Sequence, residues 1–280
     1  MKAPNDKSKT VLVLGGGVGG IVAANRLRRL LPDHHSVVLI DREQNHVFQP
    51  SLLWLATGHR SARKIQRPLA RLNRAGIKVI TGEIEAIDPS ERSIRVNGQT
   101  MRADALIVSL GAELAPDAIP GLEPAGCNLY TVEGATRIHA AISKLRAGRV
   151  VIMTASPVYK CPAAPYEAAM LIESALRNLH ARPPVTLDIY AAEPGPMGVA
   201  GPAVSLAVRQ LIESRGINYR PGHQVTSVEP ESRRIAFANG TSSEFDLLIF
   251  VPPHRAPAAV KEAGLVNDTG WVPVNRETFE

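Results

Sequence analysis

The chain has 280 residues, 45% of them hydrophobic, which is enough for about two ordinary domains with a sizeable core. Its net charge of +6 and pI near 9.5 suit nucleic acid, anionic lipid or anionic small molecules as partners. Two cysteines exclude a disulfide scaffold, no apolar run reaches the roughly 18 residues of a membrane span, and the polar stretch Met1 to Thr10 predicts no secretory signal.

The first predicted strand is the apolar run Val11-Leu12-Val13-Leu14. It runs into G-x-G-x-x-G at Gly15, Gly17 and Gly20, with Val18 and Gly19 between them. An amphipathic helix follows, with Ile21, Ala24, Leu27 and Leu31 on one face, and Pro32 stops it. A second strand, Ser36 to Ile40, ends in Asp41. In such a unit the first glycine makes the tight turn, the second admits a pyrophosphate and the third lets helix and strand pack closely. The helix N-terminus faces the phosphates, and the carboxylate accepts from ribose hydroxyls. Strand, glycines, helix and acid in this order predict a dinucleotide site; the order does not separate FAD from NAD.

Arg42 to Pro50 is a polar loop, and Leu52 to Leu55 is apolar. A denser basic patch, Arg60, Arg63, Lys64, Arg67, Arg71 and Arg74, reads as one solvated helix face, with membrane-surface contact as the sharper alternative. Ile77 to Ile80 is a third parallel strand. Ile84 opens an alternating strand that, with Ser93 to Val96 and an Asn97-Gly98 turn, forms a small antiparallel excursion. Asp104 to Leu110 is a buried strand ending near Gly111, and Pro116, Pro120 and Gly121 mark a boundary.

A second strand–turn–helix–strand unit starts at Gly148, with strands at Val150 to Thr154 and Val185 to Tyr190 and a helix from Tyr166 to about Leu179. Its turn, Ala155 to Pro162, holds no glycine, so a pyrophosphate cannot approach it closely and NAD(P)H is disfavoured as donor. Cys161 sits in that turn at the expected helix start, beside Lys160, with Pro162 and Pro165 at positions the first turn tolerates. A helix dipole and a neighbouring cation favour a thiolate, and Glu167 in the first turn is a candidate proton acceptor. The plainer alternative is an inert buried cysteine. Cys127 reads as an incidental thiol in a loop. Further strands at 217–219, 224–228, 235–237 and 245–251, with an Asn239-Gly240 turn, repeat the plan of the first half.

The expected fold is α/β, with two Rossmann-like domains, parallel sheets and small antiparallel excursions. The expected domains are 1–120 for cofactor, 121–250 carrying Cys161, and 251–280 as a return segment.

Cys161-Pro162-Ala163-Ala164-Pro165-Tyr166-Glu167 resembles the C-P-x-x-P-Y-E around an active cysteine of the sulfide:quinone oxidoreductases and the flavin subunits of flavocytochrome c sulfide dehydrogenases. Gly15 to Gly20, Asp41, Phe48-Gln49-Pro50 and Leu110-Gly111-Ala112 are similar to that family's FAD framework. The resemblance implies FAD as cofactor, with Gly15, Gly17, Val18, Gly19, Gly20, Asp41, Arg42, Gln49, Pro50, Ile84 and Gly111 at its site. It implies Cys161 as a persulfide-carrying cysteine, Glu167 as its proton partner, and sulfide and quinone as substrates. It also implies peripheral association with the inner membrane, for which the lack of a secretory signal predicts the cytoplasmic side; no nucleic acid partner is expected, and an oligomer is left open.

The chain departs from the family pattern as well. Tyr130 stands where some members have a cysteine, and Gly134 and non-histidine residues around Met197 stand in place of the family's histidines. No cysteine lies near Gln49-Pro50, so noncovalent FAD is expected. The sequence stops before the family's partner cysteine and its quinone- and membrane-binding region, so a truncated chain with weak FAD binding and an incomplete cycle is expected. Two alternatives remain at this point. One is a type II NADH:quinone oxidoreductase, suggested by Asn45 to Pro50; the other is a non-catalytic FAD or thiol sensor.

Overall fold

The structure is a computed structural model that describes residues 7–179 and 184–278. Met1 to Asp6 and the final Phe279-Glu280, both used in the sequence reading, lie outside them. The chain divides into two compact units, one of residues 1–47, 66–113 and 255–280, the other of residues 48–65 and 114–254. Both are α/β units built on a parallel sheet with an antiparallel excursion.

In the first unit, β1 (Thr10–Leu14) lies between β2 (Ser36–Asp41) and the later strand Ala105–Val108. α1 (Val18–Leu30) connects β1 to β2, which pair in parallel from Thr10↔Ser36 to Leu14↔Ile40. A continuous apolar run is what a strand covered on both faces requires, and Leu12, Val13 and Leu14 are fully buried. The sheet continues to β3 (Lys78–Thr81) beyond β2. The excursion is β4 (Ile84–Asp88), β5 (Ser93–Val96) and β6 (Gln99–Arg102), turning at Asn97-Gly98 with positive φ at both residues. Ala105–Val108 is β7, parallel to β1. Ile87, Ile94 and Val96 of the excursion pack with Leu12 and Leu14, and the short helix Ala258–Glu262 adds Ala259 and Val260.

The second unit is a five-stranded parallel sheet. Its strands are β8 (Cys127–Asn128), β9 (Gly148–Thr154), β10 (Val185–Ala191), β11 (Asn218–Arg220) and, paired with β8 and β9, the later strand Leu247–Val251. α3 (Val132–Lys144), α4 (Ala164–Asn178) and α5 (Pro202–Ser214) pack on it, and α2 (Leu52–Ala56) packs on α3 and α4. The excursion is Val225–Glu229, Arg234–Phe237 and Ser242–Glu244. β9 and β10 pair from Gly148↔Val185 to Thr154↔Ala191, repeating β1 and β2.

The structure corrects three expectations. Residues 48–65 cluster with the second unit because α2 packs on α3 and α4. The basic patch is not one helix face: Ala62–Ile65 is a single helical turn, Gln66–Pro68 is extended and Leu69–Ala75 is a 3-10 segment. Cys127 is not in a loop but in β8, buried and paired in parallel with Ile249. No helix among the described residues is long and apolar enough to cross a membrane.

Candidate functional site

The glycine turn of the first unit follows from sterics that can be read atom by atom. Gly15 has φ +105, and a Cβ there would lie 2.4 Å from the Ser109 carbonyl oxygen. A Cβ on Gly20 would lie 1.8 Å from the Gly15 carbonyl oxygen, so only glycine lets α1 pass this close to the end of β1. Gly17 differs: a Cβ there would meet nothing within 4 Å. Gly17 is the N-cap of α1, and its side faces open space where first-turn N–H groups are free to meet phosphate oxygens. A dinucleotide diphosphate fits this cradle.

Asp41 ends β2 beside it. Its Oδ2 accepts from the Gly16 N–H (2.5 Å) and its Oδ1 from the Glu43 N–H (2.7 Å). These backbone donors orient the carboxylate, which stays partly exposed and retains lone pairs for ribose hydroxyls. The His46 ring Nδ1 lies 3.1 Å from the Gly16 carbonyl oxygen, so this histidine braces the turn. Val18 and Gly19 begin α1, with Val18 exposed. Arg42 is exposed and lies 3.8 Å from Glu43. Gly111 has φ +69 and open space around it, and Ile84 is half-buried at the start of β4. The fold thus gathers Gly15 to Gly20 and Asp41 at one end of the sheet. Gln49 and Pro50 are exposed in a 3-10 turn of the second unit.

In the second unit Cys161 is exposed and has φ +55, a left-handed conformation uncommon for a residue with a side chain. α4 begins at Ala164, so Cys161 precedes the helix rather than opening it. Its carbonyl oxygen accepts from the Ala164 N–H at 3.0 Å, which ties it to the helix start. Tyr130 holds the turn from the other side: its hydroxyl donates to the carbonyl oxygens of Lys160 (2.7 Å) and Cys161 (3.2 Å). Burial, with the nearby Cys161 and Glu193 adding to it, pushes the Tyr130 phenol far above its ordinary range, so it stays a donor. The Lys160 ammonium lies 5.9 Å from the Tyr130 ring centroid, and burial lowers its pKa. Glu167 is exposed in the first turn of α4, and no hydrogen bond joins it to Cys161 among the described residues.

Sequence reasoning missed two groups. The His254 ring meets Tyr130 edge-on at 5.7 Å. Its Nδ1 lies 2.9 Å from the Pro252 carbonyl oxygen, and its buried Nε2 has no hydrogen-bond partner among the described residues. Burial holds its pKa down, against the Pro252 hydrogen bond and with the Lys160 charge. The second group is Glu193, buried just past β10. Its Oε2 accepts from the Thr154 hydroxyl (2.6 Å), and its Oε1 accepts from the hydroxyls of Tyr159 (2.5 Å) and Tyr166. An acid following the second strand of a repeated unit was the available signal; its donors lie 27 to 39 residues away and are joined only by the fold.

The model of the pyridine nucleotide-disulphide oxidoreductase family matches residues 9–278. The chain is 31% identical to the sulfide-quinone reductase of Aquifex aeolicus over 92% of its length and 61% of that protein. It is 25% identical to the mitochondrial sulfide:quinone oxidoreductase of Mus musculus, over 96% of this chain and 62% of the relative. The crystal structure of the sulfide:quinone oxidoreductase from Aquifex aeolicus matches with a TM-score of 0.85 at 30% identity, covering 96% of this chain and 65% of that one. The chain therefore spans about 60% of the length of these curated relatives. This is a family of FAD-binding flavoproteins, and the open side of Gly17, the free N-terminus of α1 and the oriented Asp41 fit that cofactor. With the family model spanning nearly its whole length, the chain belongs to the pyridine nucleotide-disulphide oxidoreductase family and is a flavoprotein oxidoreductase of the kind represented by the sulfide:quinone oxidoreductases.

Proposed function

We propose that this protein oxidises sulfide to sulfane sulfur, with Cys161 as the sulfur-carrying thiol and a quinone as final acceptor. The observation that carries the reading is the placement of Cys161: an exposed thiol in the turn before α4, where the first unit has its phosphate cradle. Gly15, Gly17 and Gly20 with Asp41 would hold the diphosphate and ribose of FAD, and Val18, Gly19, Arg42, Ile84 and Gly111 of the same unit complete the proposed set. FAD supplies a two-electron acceptor.

The chain's own residues handle sulfur and protons. Hydrosulfide attacks a disulfide between Cys161 and a second thiol; the S–S bond breaks, leaving a persulfide on one sulfur and a thiolate on the other. The thiolate on the second sulfur supplies the electron pair that the reaction passes on, and Tyr130 and Ala164 hold the backbone of Cys161, which carries the persulfide. Cys127 does not take the second role, because it is buried in β8 and burial raises its pKa. Glu167, exposed one turn into α4, takes the proton released as sulfide is consumed. Peripheral attachment to a membrane, on the cytoplasmic side, would give access to quinone.

Anaerobic absorbance in the flavin band tests this. Sulfide should bleach the band, quinone should restore it, and Cys161→Ser should abolish the sulfide response while retaining flavin. Bleaching by NADH alone would replace the reading with an NADH:quinone oxidoreductase. Flavin retention with a reversibly modified Cys161 and no turnover would replace it with a thiol sensor.

A further inference from the structure

In a dinucleotide-binding unit the carboxylate after the second strand accepts ribose hydroxyls. Asp41, the last residue of β2, holds that place in the first unit; in the second, β10 ends at Ala191 and Glu193, two residues on, is the first carboxylate after it. Glu193 is 8% exposed and already receives three hydroxyls from the chain itself. Thr154 ends β9, Tyr159 precedes Cys161 and Tyr166 follows it on α4, so one carboxylate pins the Cys161 turn at its entry and on both sides of the cysteine. Thr154 Oγ1 also accepts from the Ala192 N–H (3.0 Å), which locks the strand end carrying Glu193 to the same point. Tyr219 packs edge-on against Tyr166 at 6.1 Å and closes the cluster from β11.

We propose that Glu193 is the positioning residue of the Cys161 turn, and that by taking Thr154, Tyr159 and Tyr166 in place of ribose hydroxyls it closes the second unit to nicotinamide dinucleotides. A carboxylate offers about four acceptor sites, and three hydroxyls fill most of them in a buried setting. The Tyr159 hydroxyl thus takes an acceptor site that an incoming adenosine ribose would need. The glycine-free turn and the occupied acid act together: one keeps pyrophosphate away, the other keeps ribose away. The positional half of this inference rests on Cys161 being the reacting thiol; the nucleotide half does not.

The test is the pH–rate profile of iodoacetamide alkylation at Cys161 in the flavin-loaded protein, followed by peptide mass spectrometry, together with an NADH fluorescence titration. Tyr159→Phe removes one hydroxyl and keeps the ring; Glu193→Gln puts an amide donor against phenol donors. Glu173→Gln is the control, a buried carboxylate on α4 engaged by Arg177 and Arg215 rather than by the turn.

Releasing the turn should slow alkylation of Cys161 about tenfold in Tyr159→Phe and Glu193→Gln. Glu173→Gln should leave the profile unchanged at a comparable loss of Tm. NADH should show no saturable binding to the unaltered protein. An unchanged profile in Tyr159→Phe, or an equal slowing in Glu173→Gln, would overturn the positioning role. If Glu193→Gln fails to fold, Tyr159→Phe decides. Saturable NADH binding that Glu193→Gln abolishes would overturn the closure. A wild-type protein that sulfide does not bleach would sink the sulfide reading and leave both of these readouts intact.

Discussion

The two units use one plan and spend its polar ends differently. In the first, Asp41 is oriented by two backbone N–H groups and left partly open, and Gly17 turns a bare face to solvent. In the second, Glu193 is buried under three side-chain hydroxyls, and the turn carries Pro157, Tyr159 and Cys161 where glycines would be needed. The lesson is that a duplicated dinucleotide unit keeps its sheet and helix for packing while its ligand end is free to take another task. The apolar strands barely differ: Leu12 to Leu14 and Val150 to Met153 are equally buried.

Mutations can break this comparison at graded cost. Gly20→Ala should be the most damaging, about 3 kcal/mol, because its Cβ would sit 1.8 Å from backbone oxygen that has nowhere to go. Thermal unfolding with loss of flavin would register it, and unchanged Tm would mean the turn is looser than described. Thr154→Val comes next, at about 2 kcal/mol: it keeps the shape but strands the Ala192 N–H and one lone-pair site of Glu193 in a buried setting. Denaturant unfolding measures it.

The tyrosines give the next contrast. Burial raises Tyr159 and Tyr166 above the ordinary phenol value of 10.0. A folded pKa above the unfolded one means stability is intact below pH 10.0 and is lost as pH rises beyond it. Tm should therefore fall above that pH, and Tyr166→Phe should flatten the fall; an unchanged slope would show that the Glu193 cluster is already open.

The smallest effect on stability should come from Gly17→Ala, within about 1 kcal/mol, since φ is −73 and nothing stands within 4 Å. Its effect should fall on the cofactor, with FAD held at least about tenfold more weakly because the methyl fills the cradle. Equilibrium dialysis would show it, and unaltered FAD binding would move the diphosphate away from this turn.

Much of the fold was legible because buried parallel strands write continuous apolar runs, as at Val11 to Leu14 and Val150 to Thr154, and because Asn97-Gly98 supplies positive φ at a hairpin. The glycine turn and Asp41 were legible because each residue type answers a local steric need. The basic patch misled because spacing alone does not show where Gln66–Pro68 breaks a helix. Cys127 misled because β8 is only two residues long and is defined by its pairing with Leu247–Val251, more than 100 residues on. Tyr130 and His254 gave no local pattern, and Glu193 only its place after a second strand, since their roles come from partners across the fold.

The bonds that pin the Cys161 turn span only 27, 34 and 39 residues. The first unit, by contrast, draws on segments at both ends of the chain. Loop-closure entropy grows slowly but favours the shorter separations, and a chain is made from its N-terminus. The bonds from Thr154, Tyr159 and Tyr166 to Glu193 can therefore form on the emerging polypeptide before Ala258–Glu262 is available to complete the cofactor-binding unit. The order of synthesis thus lets the Cys161 turn take these three bonds before the cofactor-binding unit is complete.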